Sequence, residues 1–356
     1  MSLNVDIRKT VGNFTLETSF ETEGECLGIL GASGCGKSMT LKCIAGILTP
    51  DAGRIVLNGR TLYDSDRRIN LPPQQRRVGY LFQDYALFPK MTVAENITIG
   101  MRQKPAAEKN RMLEAFVHKF HLEGLEERRP SQLSGGQKQR VALARMLAGE
   151  PDALLFDEPF SALDSFLKEQ LQFELAHVLQ DYGGEALMVT HSRDEVYRFC
   201  QSVVILEDGR QVDDGDTKEL FRNPHTLTTA RLSGCKNFSR AERRGEYRLF
   251  AADWNTELTT AIPVPENVGW VGIRAHDFVP VSGEDAPAVN LFTAVPADIS
   301  EDPFEVSVRM GVNGNDPSRY ENLVWWKTER SAWDNLYHRK YPERFAVRPE
   351  KVMPLV

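Results

Sequence analysis

The first part of the chain alternates short apolar runs with segments of helical spacing. Apolar runs of strand length occur at 26–30, 54–57, 78–81, 153–156, 186–190 and 203–207. Apolar positions spaced near 3.6 residues predict a helix over 37–47 and several more within 93–149. Two strands, 4–11 and 14–22, are predicted to form an N-terminal hairpin. This order of elements favours an α/β fold in which helices cover a parallel sheet.

The pattern changes near residue 233, where short β-type runs replace the alternation. All five tryptophans of the chain follow this point. Strands are predicted at 247–251, 268–274, 291–295, 304–310, 323–326 and 345–347. Glycine and proline between these runs are typical of a small β-rich domain, an OB-like barrel or a sandwich. We therefore predict two domains, 1–232 and 233–356, with a helical subdomain at about 84–150 in the first.

Two segments of the second domain resemble each other, GIRAHDFVP at 272–280 and AVRPEKVMP at 346–354. Each closes a group of predicted strands. This similarity indicates a weak internal repeat of two related lobes. A chance likeness of strand-and-turn composition is the alternative.

Composition limits the classes of function. With 43 Lys and Arg against 50 Asp and Glu, the formal net charge is −7. Domains that bind nucleic acid are usually basic, so no nucleic-acid partner is expected. No apolar run approaches the roughly 20 residues that span a membrane, and the N-terminus lacks a signal-peptide core, so we expect the chain in the cytoplasm. Five cysteines without a C-x-x-C pair indicate reduced thiols.

A glycine-rich turn between the strand at 26–30 and the helix at 37–47 carries the first motif. The residues Gly31, Ala32, Ser33, Gly34, Cys35, Gly36, Lys37 and Ser38 fit the pattern G-x-x-x-x-G-K-[ST]. Glycines let backbone N–H groups approach phosphate oxygens, and the following helix adds its positive N-terminal end. Lys37 is then placed to reach the β- and γ-phosphates of a nucleotide, and Ser38 to ligate Mg²⁺. An ordinary glycine-rich turn is the alternative.

Two acids, Asp157 and Glu158, follow the apolar strand at 153–156. Because a strand buried on both faces is rigid, it can hold Asp157 beside Mg²⁺. Glu158 would face the γ-phosphate, where a carboxylate can orient and deprotonate water. The pair is weak evidence alone, since many apolar strands end in acids, and it gains weight from the phosphate loop.

A second helix N-terminus able to bind an anion is predicted where Ser134, Gly135, Gly136 and Gln137 open a helical run that ends near 147. One nucleotide does not need two such sites in one chain. We therefore predict a head-to-tail homodimer in which the phosphate loop of one subunit and Ser134 of the other clamp the same ATP. The alternative is that Ser134 only caps its helix.

Together these motifs resemble the ATP-binding cassette (ABC) ATPases over about residues 1–232. The resemblance implies a P-loop NTPase domain that hydrolyses ATP with Mg²⁺. It implies that Gln83, in YLFQDY, contacts Mg²⁺ and the attacking water, and that His191, in VTHS, contacts the γ-phosphate. The loop Ser161-Ala-Leu-Asp164 would cross the dimer interface, with Asp164 among the nucleotide contacts. Phe14 is the candidate for stacking on adenine, with a place in the core as the alternative.

The resemblance also implies a type of transport. A single cassette requires separate integral-membrane permease subunits, with a solute-binding protein acting indirectly and the chain at the cytoplasmic face of the membrane. The run LFPKMTVAENI after Gln83 is similar to importers. Segments 11–16, 57–60 and 76–89 are most similar to molybdate/tungstate importers, with sulfate/thiosulfate or another small solute as the alternative.

Two alternatives concern the use of the ATPase and of the second domain. A soluble ABC ATPase acting on nucleic acid or ribosomes is the remoter one, disfavoured by the single cassette and the acidic charge. The second domain resembles importer regulatory domains through Gly272-Ile-Arg, yet its opening GCKN at 234–237 departs from oxyanion-binding lobes. An oxyanion sensor and a structural brace therefore both stay open for this domain.

Overall fold

The computed structural model describes residues 1–101, 104–161, 164–281, 289–319, 322–337 and 341–356. Its contacts divide the chain into two compact units, Met1–Lys218 and Glu219–Val356. The division comes before the boundary predicted at 232/233, because the residues that follow it bond to the C-terminal end. Leu227 N–H donates to the Val356 carbonyl (3.2 Å), and Val356 N–H donates to the His225 carbonyl (3.0 Å).

The first unit is built on one mixed sheet. Its strands are β1 (Leu3–Val11), β2 (Phe14–Thr22), β3 (Cys26–Gly31), β4 (Ala52–Leu57), β5 (Arg60–Asp64), β6 (Ile69–Asn70), β7 (Val78–Leu81), β8 (Ala153–Asp157), β9 (Glu185–Thr190), β10 (Ser202–Glu207) and β11 (Arg210–Asp216). They lie in the order β6-β5-β4-β1-β2-β11-β10-β3-β9-β8-β7. The predicted α/β fold is therefore confirmed, with an antiparallel N-terminal edge joined to a parallel centre.

Helices cover this sheet and fill the predicted helix-rich stretch. They are α1 (Lys37–Ala45), α2 (Pro73–Arg76), α3 (Val93–Thr98), α4 (Ala106–Lys119), α5 (Gly135–Ala148), α6 (Ser165–Tyr182) and α7 (Arg193–Phe199), followed by α8 (Thr217–Arg222). Within the described ranges, no helix combines the length and apolar character needed to cross a bilayer.

The central strands place three loops at one edge of the sheet. Every residue of β3, β8 and β9 is buried, which explains their nearly continuous apolar sequences. β9 pairs in parallel with both β3 and β8, and β7 pairs in parallel with β8. Because the carboxyl ends of parallel strands meet at one edge, the loops after β3, β8 and β9 lie close together.

The second unit contains two antiparallel sheets. Its strands are β12 (Asn237–Gly245), β13 (Arg248–Ala251), β14 (Thr256–Thr259), β15 (Trp270–Ile273), β16 (Val279–Pro280), β17 (Leu291–Glu301), β18 (Glu305–Val312), β19 (Val324–Glu329), β20 (Arg344–Ala346) and β21 (Met353–Leu355). The helices are α9 (Leu227–Leu232) and α10 (Arg330–Ala332), and α10 continues into a π-helical turn over Trp333–Tyr337. The sheet orders are β14-β13-β12-β15-β21 and β16-β20-β17-β18-β19. Trp254, Trp326 and Trp333 lie in their shared core, and the β-rich prediction is confirmed.

The repeat predicted in this unit is visible in its topology. Each of the two similar segments forms a strand, a 3-10 turn and a second strand, as β15 with β16 and as β20 with β21. β15 pairs with β21 in one sheet, and β16 pairs with β20 in the other. The two segments therefore exchange strands between the sheets in a reciprocal way, which a chance likeness of composition does not require.

Candidate functional site

The glycine-rich loop follows β3 and leads directly into α1. A Cβ atom on Gly31 would lie 2.3 Å from the Leu206 carbonyl oxygen, so a side chain does not fit there. Gly36 caps α1 with φ of 108°, in the left-handed region that favours glycine. Ser33 and Gly34 are exposed between them. Glycine is therefore required at both ends of the loop that leads into α1.

Lys37 folds back over this loop. Its side chain is buried, and its Nζ donates to the carbonyl oxygens of Gly31 (2.9 Å) and Ala32 (2.8 Å). The ammonium group is thus held above the loop backbone. Cys35 is buried in the core, where burial raises the pKa of its thiol and keeps it protonated.

Asp157 ends β8 and is held by two hydroxyl groups. Its Oδ1 accepts a hydrogen bond from Ser38 Oγ (2.6 Å), and its Oδ2 accepts one from the Tyr80 hydroxyl (2.8 Å). Burial, and then the negative charge of Asp157, raises the pKa of the Tyr80 hydroxyl, so that Tyr80 stays a donor. The structure thus brings Ser38 and Asp157, the two residues proposed from the sequence as Mg²⁺ ligands, within hydrogen-bond distance, and adds Tyr80.

Tyr80 lies in the strand predicted at 78–81 and in the YLFQDY segment around Gln83, and no motif assigned it a role. A usable signal was present. β7 lies beside β8, with Tyr80 opposite Leu155, two residues before Asp157. A tyrosine there is close enough for its long side chain to reach the aspartate at the end of the neighbouring strand.

Glu158 and His191 meet on neighbouring strand ends. Glu158 N–H donates to the Val189 carbonyl (2.9 Å), which fixes the turn after β8 against β9. His191 follows β9, and its Nδ1 lies 3.4 Å from Glu158 Oε2. The His191 side chain is 63% exposed and that of Glu158 21%, so both can reach a ligand from solvent. Glu158 also has φ of 47°, a conformation uncommon outside glycine, at the point where the carboxylate turns away from the strand.

A pocket of about 780 Å³ opens beside these groups. Its polar lining comes from Ser33, Gly34, Gly36, Lys37, Ser38, Lys42, Gln83 and Glu158. Its apolar lining comes from Val11, Phe14, Met39, Ile47 and Leu48. Phe14 lines the pocket and also packs against the core, so its two predicted locations coincide. One wall of the pocket therefore suits phosphates and the other suits an aromatic base.

The Ser134 segment lies elsewhere in the unit. The lining residues named above, all within the described ranges, do not include Ser134, Gly135 or Gly136. Ser134 caps α5 by accepting from Gln137 N–H (3.3 Å), while Gln137 Oε1 accepts from Ser134 N–H (2.9 Å). Ser134 and Gly135 are exposed. The helix-capping alternative is thus present in the structure, and the pocket of one chain is not completed by its own Ser134.

Asp164 is the N-cap of α6. Its Oδ1 accepts a hydrogen bond from Leu167 N–H (3.0 Å). Ser161 is exposed, and its Oγ donates to the Glu158 carbonyl (3.0 Å). Positions 162 and 163 of the predicted interface loop lie outside the described residues. The described part of the loop therefore joins the Glu158 turn to the start of α6.

The oxygen donors near Asp157 fit a small hard cation. Ser38 Oγ and Asp157 Oδ1 are 2.6 Å apart, and Gln83 lines the same pocket. Hydroxyl, carboxylate and amide oxygens are ligands that Mg²⁺ accepts, with water and phosphate completing its shell. In the described part of the chain, no group of three or more His, Cys, Asp or Glu side chains is arranged to hold a metal alone. All five cysteines are free thiols, as predicted.

Comparison with known proteins gives a consistent picture. A family model described as ABC transporter matches residues 16–161. The spermidine/putrescine import ATP-binding protein PotA of Oleidesulfovibrio alaskensis is 41% identical over 213 residues, covering 59% of this chain and 56% of that protein. The sulfate/thiosulfate import ATP-binding protein CysA 2 of Chromobacterium violaceum is 39% identical over 280 residues, covering 78% of this chain and 74% of that protein. The match thus spans little more than half the length of the first relative.

Solved structures resemble the first part of the chain. One is the ATP-binding cassette MJ0796, described as a dimer in a post-hydrolysis state bound to ADP and Pi. It is 27% identical with a TM-score of 0.52, covering 61% of this chain and 99% of that chain. Another is cbiO1 from Clostridium perfringens, described as part of the ABC transporter complex cbiONQ. It is 29% identical with a TM-score of 0.54, covering 62% of this chain and 90% of that chain.

Proposed function

This chain belongs to the ABC transporter family, and from that membership we propose that it is the ATP-hydrolysing subunit of an importer. The observation that carries the proposal is the convergence of five groups at one end of the sheet. These groups are Lys37, Ser38, Asp157, Glu158 and His191. A lysine for the phosphates, a hydroxyl and a carboxylate for Mg²⁺, and a further carboxylate able to orient water are groups that serve phosphoryl transfer to water, and His191 lies beside that carboxylate.

The phosphate loop is proposed to bind the triphosphate. Backbone N–H groups at the start of α1 face the anion, and Lys37 exchanges its two carbonyl partners for phosphate oxygens. Ser38, Gln83 and Asp157 would hold Mg²⁺, which neutralises charge on the phosphates. Phe14 is proposed to stack on the adenine, since it lines the apolar wall of the same pocket.

Glu158 is proposed to take the proton from the attacking water. It is the carboxylate that lines the pocket, whereas Asp157 is already held by two hydroxyl donors. His191 lies 3.4 Å from Glu158 and is exposed, so that it can contact both this carboxylate and a γ-phosphate oxygen. The two residues would then place water in line with the γ-phosphorus.

The nucleotide site is proposed to be shared between two copies of the chain in a head-to-tail homodimer. Ser134 and Gly135 are exposed and lie outside the pocket of their own chain, so a second subunit is needed to bring them to the nucleotide. Asp164, at the N-terminus of α6, would cross the same interface. The similar cassette described as a dimer with ADP and Pi supports this arrangement.

Coupling to transport follows from the closed and open states of such a dimer. ATP held by both subunits favours the closed state, and hydrolysis removes the shared ligand. We propose that closure acts on integral-membrane permease subunits, with a solute-binding protein acting indirectly, at the cytoplasmic face of the membrane. Both relatives described above are named import ATP-binding proteins, which supports the direction.

The transported solute is proposed to be sulfate/thiosulfate or another small solute such as a polyamine. Three short segments of the sequence predicted molybdate or tungstate. The relatives are instead named for spermidine/putrescine and sulfate/thiosulfate, which favours the alternative. The test is uptake of labelled sulfate, spermidine and molybdate by cells lacking this chain and by cells that regain it. Recovery of molybdate uptake alone would contradict the proposal.

The hydrolytic role is tested with Glu158→Gln, which keeps the shape of the side chain and removes the base. We expect ATP binding to persist and turnover to fall by about 10²–10⁴-fold, the usual contribution of a general base. Phosphate release and ATP binding are measured on the same preparation. Glu150→Gln, an exposed glutamate with a 59% accessible side chain, is the control and should keep wild-type turnover. Near-normal turnover of Glu158→Gln would refute the assignment.

The shared site is tested by cross-linking in the Glu158→Gln background. Ser33→Cys and Ser134→Cys place thiols on the phosphate loop and at the start of α5, both at exposed positions. The native cysteines are buried, so background reaction is low. A short bis-maleimide should give covalent dimers from the double variant with ATP, and none from either single variant. Absence of dimers while ATP is bound would overturn the head-to-tail arrangement.

A further inference from the structure

The carboxylate of Glu195 lies buried beside the turn that carries His191. Glu195 stands in the first turn of α7 and is 3% exposed. Its Oε2 accepts a hydrogen bond from the Thr190 hydroxyl (2.5 Å), and its backbone N–H donates to Ser192 Oγ (3.4 Å). Both neighbours of His191 in the chain are therefore bonded to one residue.

This arrangement departs from ordinary helix capping. The sequence Ser192-x-x-Glu195 has the form of a capping box, in which the glutamate would accept from the N-cap backbone N–H. α3 and α5 have that arrangement in full. In α7, Ser192 N–H donates instead to Thr190 Oγ1 (3.0 Å), and the carboxylate turns to the Thr190 hydroxyl. Glu195 thus holds the end of β9 rather than the end of its own helix.

The second carboxylate oxygen connects this turn to α6. Glu195 Oε1 pairs with Lys168 Nζ at 2.6 Å. Lys168 lies in the first turn of α6, where its N–H donates to the carbonyl of Asp164 (2.9 Å). A buried charge that has a partner at this distance resists displacement, because leaving it unpaired is costly. The contacts form a continuous path from Asp164 to both neighbours of His191.

His191 itself needs such support. Its side chain is 63% exposed, and its Nδ1 lies 3.4 Å from Glu158 Oε2. An exposed side chain on a turn keeps a reactive position only when its backbone is fixed. We infer that Glu195 is a positioning residue for His191, acting through Thr190, and that Lys168 ties this position to the start of α6. The inference rests on the proposed role of His191 in hydrolysis.

The test separates positioning from a general structural role. Glu195→Ala removes the acceptor and should lower kcat about 10-fold while KM for ATP stays within about twofold, since misplacement of one catalytic group affects the transition state. Thr190→Val, which removes the hydroxyl link, should behave alike, and Thr190→Ser, which restores the hydroxyl, should recover wild-type kcat. If Glu195→Ala does not fold, the two Thr190 variants carry the test.

Epistasis with His191→Ala supplies the discriminating result. If Glu195 acts through His191, the double variant His191→Ala/Glu195→Ala should turn over no more slowly than His191→Ala alone. Lys119→Met, which removes a 2.9 Å ion pair to Asp181 near the other end of α6, is the control and should keep wild-type kcat. If the losses of kcat in the two single variants multiply in the double variant, or if KM rises and kcat does not fall, this inference is wrong and the proposed function is unaffected. Absence of ATP hydrolysis by the wild-type chain would overturn the proposed function together with this inference.

Discussion

Tyr80→Phe isolates one hydrogen bond at the proposed metal ligand. The substitution removes the hydroxyl that donates to Asp157 Oδ2 (2.8 Å) and keeps the ring. The centroid of that ring lies 4.2 Å from the centroid of the Phe82 ring, and the ring packs against the core of the sheet. Phenylalanine preserves both contacts. Asp157 retains its bond from Ser38. The change therefore weakens the support of the carboxylate without removing the carboxylate.

The size of the effect follows from the charge and burial of Asp157. A hydrogen bond to a charged group contributes about 1.5–3 kcal/mol to stability, and Asp157 is 6% exposed, so water replaces the donor poorly. Loss of a partner that orients a metal ligand lowers metal affinity by about 10–100-fold. We expect Tyr80→Phe to raise the free Mg²⁺ concentration for half-maximal ATP hydrolysis by at least about 10-fold. At saturating Mg²⁺, kcat should stay within about twofold of wild type.

Tyr63→Phe is the matched control. The Tyr63 hydroxyl is buried and donates at 2.8 Å to the neutral carbonyl of Pro50, away from the pocket. It should lower stability by about 1 kcal/mol and leave the Mg²⁺ dependence unchanged. The measurements are phosphate release against free Mg²⁺ and urea denaturation without nucleotide. A wild-type Mg²⁺ dependence in Tyr80→Phe, together with a stability loss like that of Tyr63→Phe, would refute the reasoning.

Three further predictions address the phosphate loop and the second unit. Lys37→Ala should weaken ATP binding by about 10–100-fold in titration calorimetry, because a charge-assisted bond to phosphate is lost, and unchanged affinity would contradict the phosphate-loop assignment. Gly36 has φ of 108°, and a Cβ atom there would lie 2.8 Å from Leu16 Cδ1. Gly36→Ala should therefore lower the free energy of unfolding measured in urea by about 1–3 kcal/mol. An unfolding midpoint equal to that of the wild type would show that the loop adapts. The hydrogen bond from Lys327 holds the pKa of Glu305 at about 2, below its ordinary 4.5. Stability from this group is therefore complete above pH 4.5 and is lost as pH falls toward 2, and Glu305→Gln should flatten that part of the pH–stability curve.

The sequence alone predicted those parts of the site that lie in one continuous segment or at the end of a fully buried strand. The phosphate loop is one continuous segment, in which the close approach of the Leu206 carbonyl requires glycine at 31 and a left-handed backbone favours glycine at 36. β3, β8 and β9 are buried on both faces, so their apolar runs were visible without knowledge of the fold. The loops after these strands then meet because parallel strands share an edge, which general topology supplies.

Other features depend on partners that no local pattern reveals. β12 (NFSRAERRG) carries many charges because one of its faces is exposed, and pairing with β15 makes it a strand. Tyr80 became relevant only through the register of β7 against β8. Glu195 fits a capping box in sequence, and its ion pair with Lys168 ties it to a different element, α6. In each case the deciding partner is distant in the chain.

Capping of α5 by Ser134 and its proposed contact with a nucleotide of a second subunit do not exclude each other. As an N-cap, its Oγ accepts from Gln137 N–H, which leaves the hydroxyl proton available to a further acceptor. The first N–H groups of α5 have no partner within the helix, since the first turn lacks preceding carbonyls. Capping fixes the direction of these donors before any ligand arrives, and a fixed donor loses less conformational entropy on binding. The capping box is therefore compatible with the proposed contact of this segment with an anion held by a second subunit, and the Ser33→Cys/Ser134→Cys cross-link tests that contact.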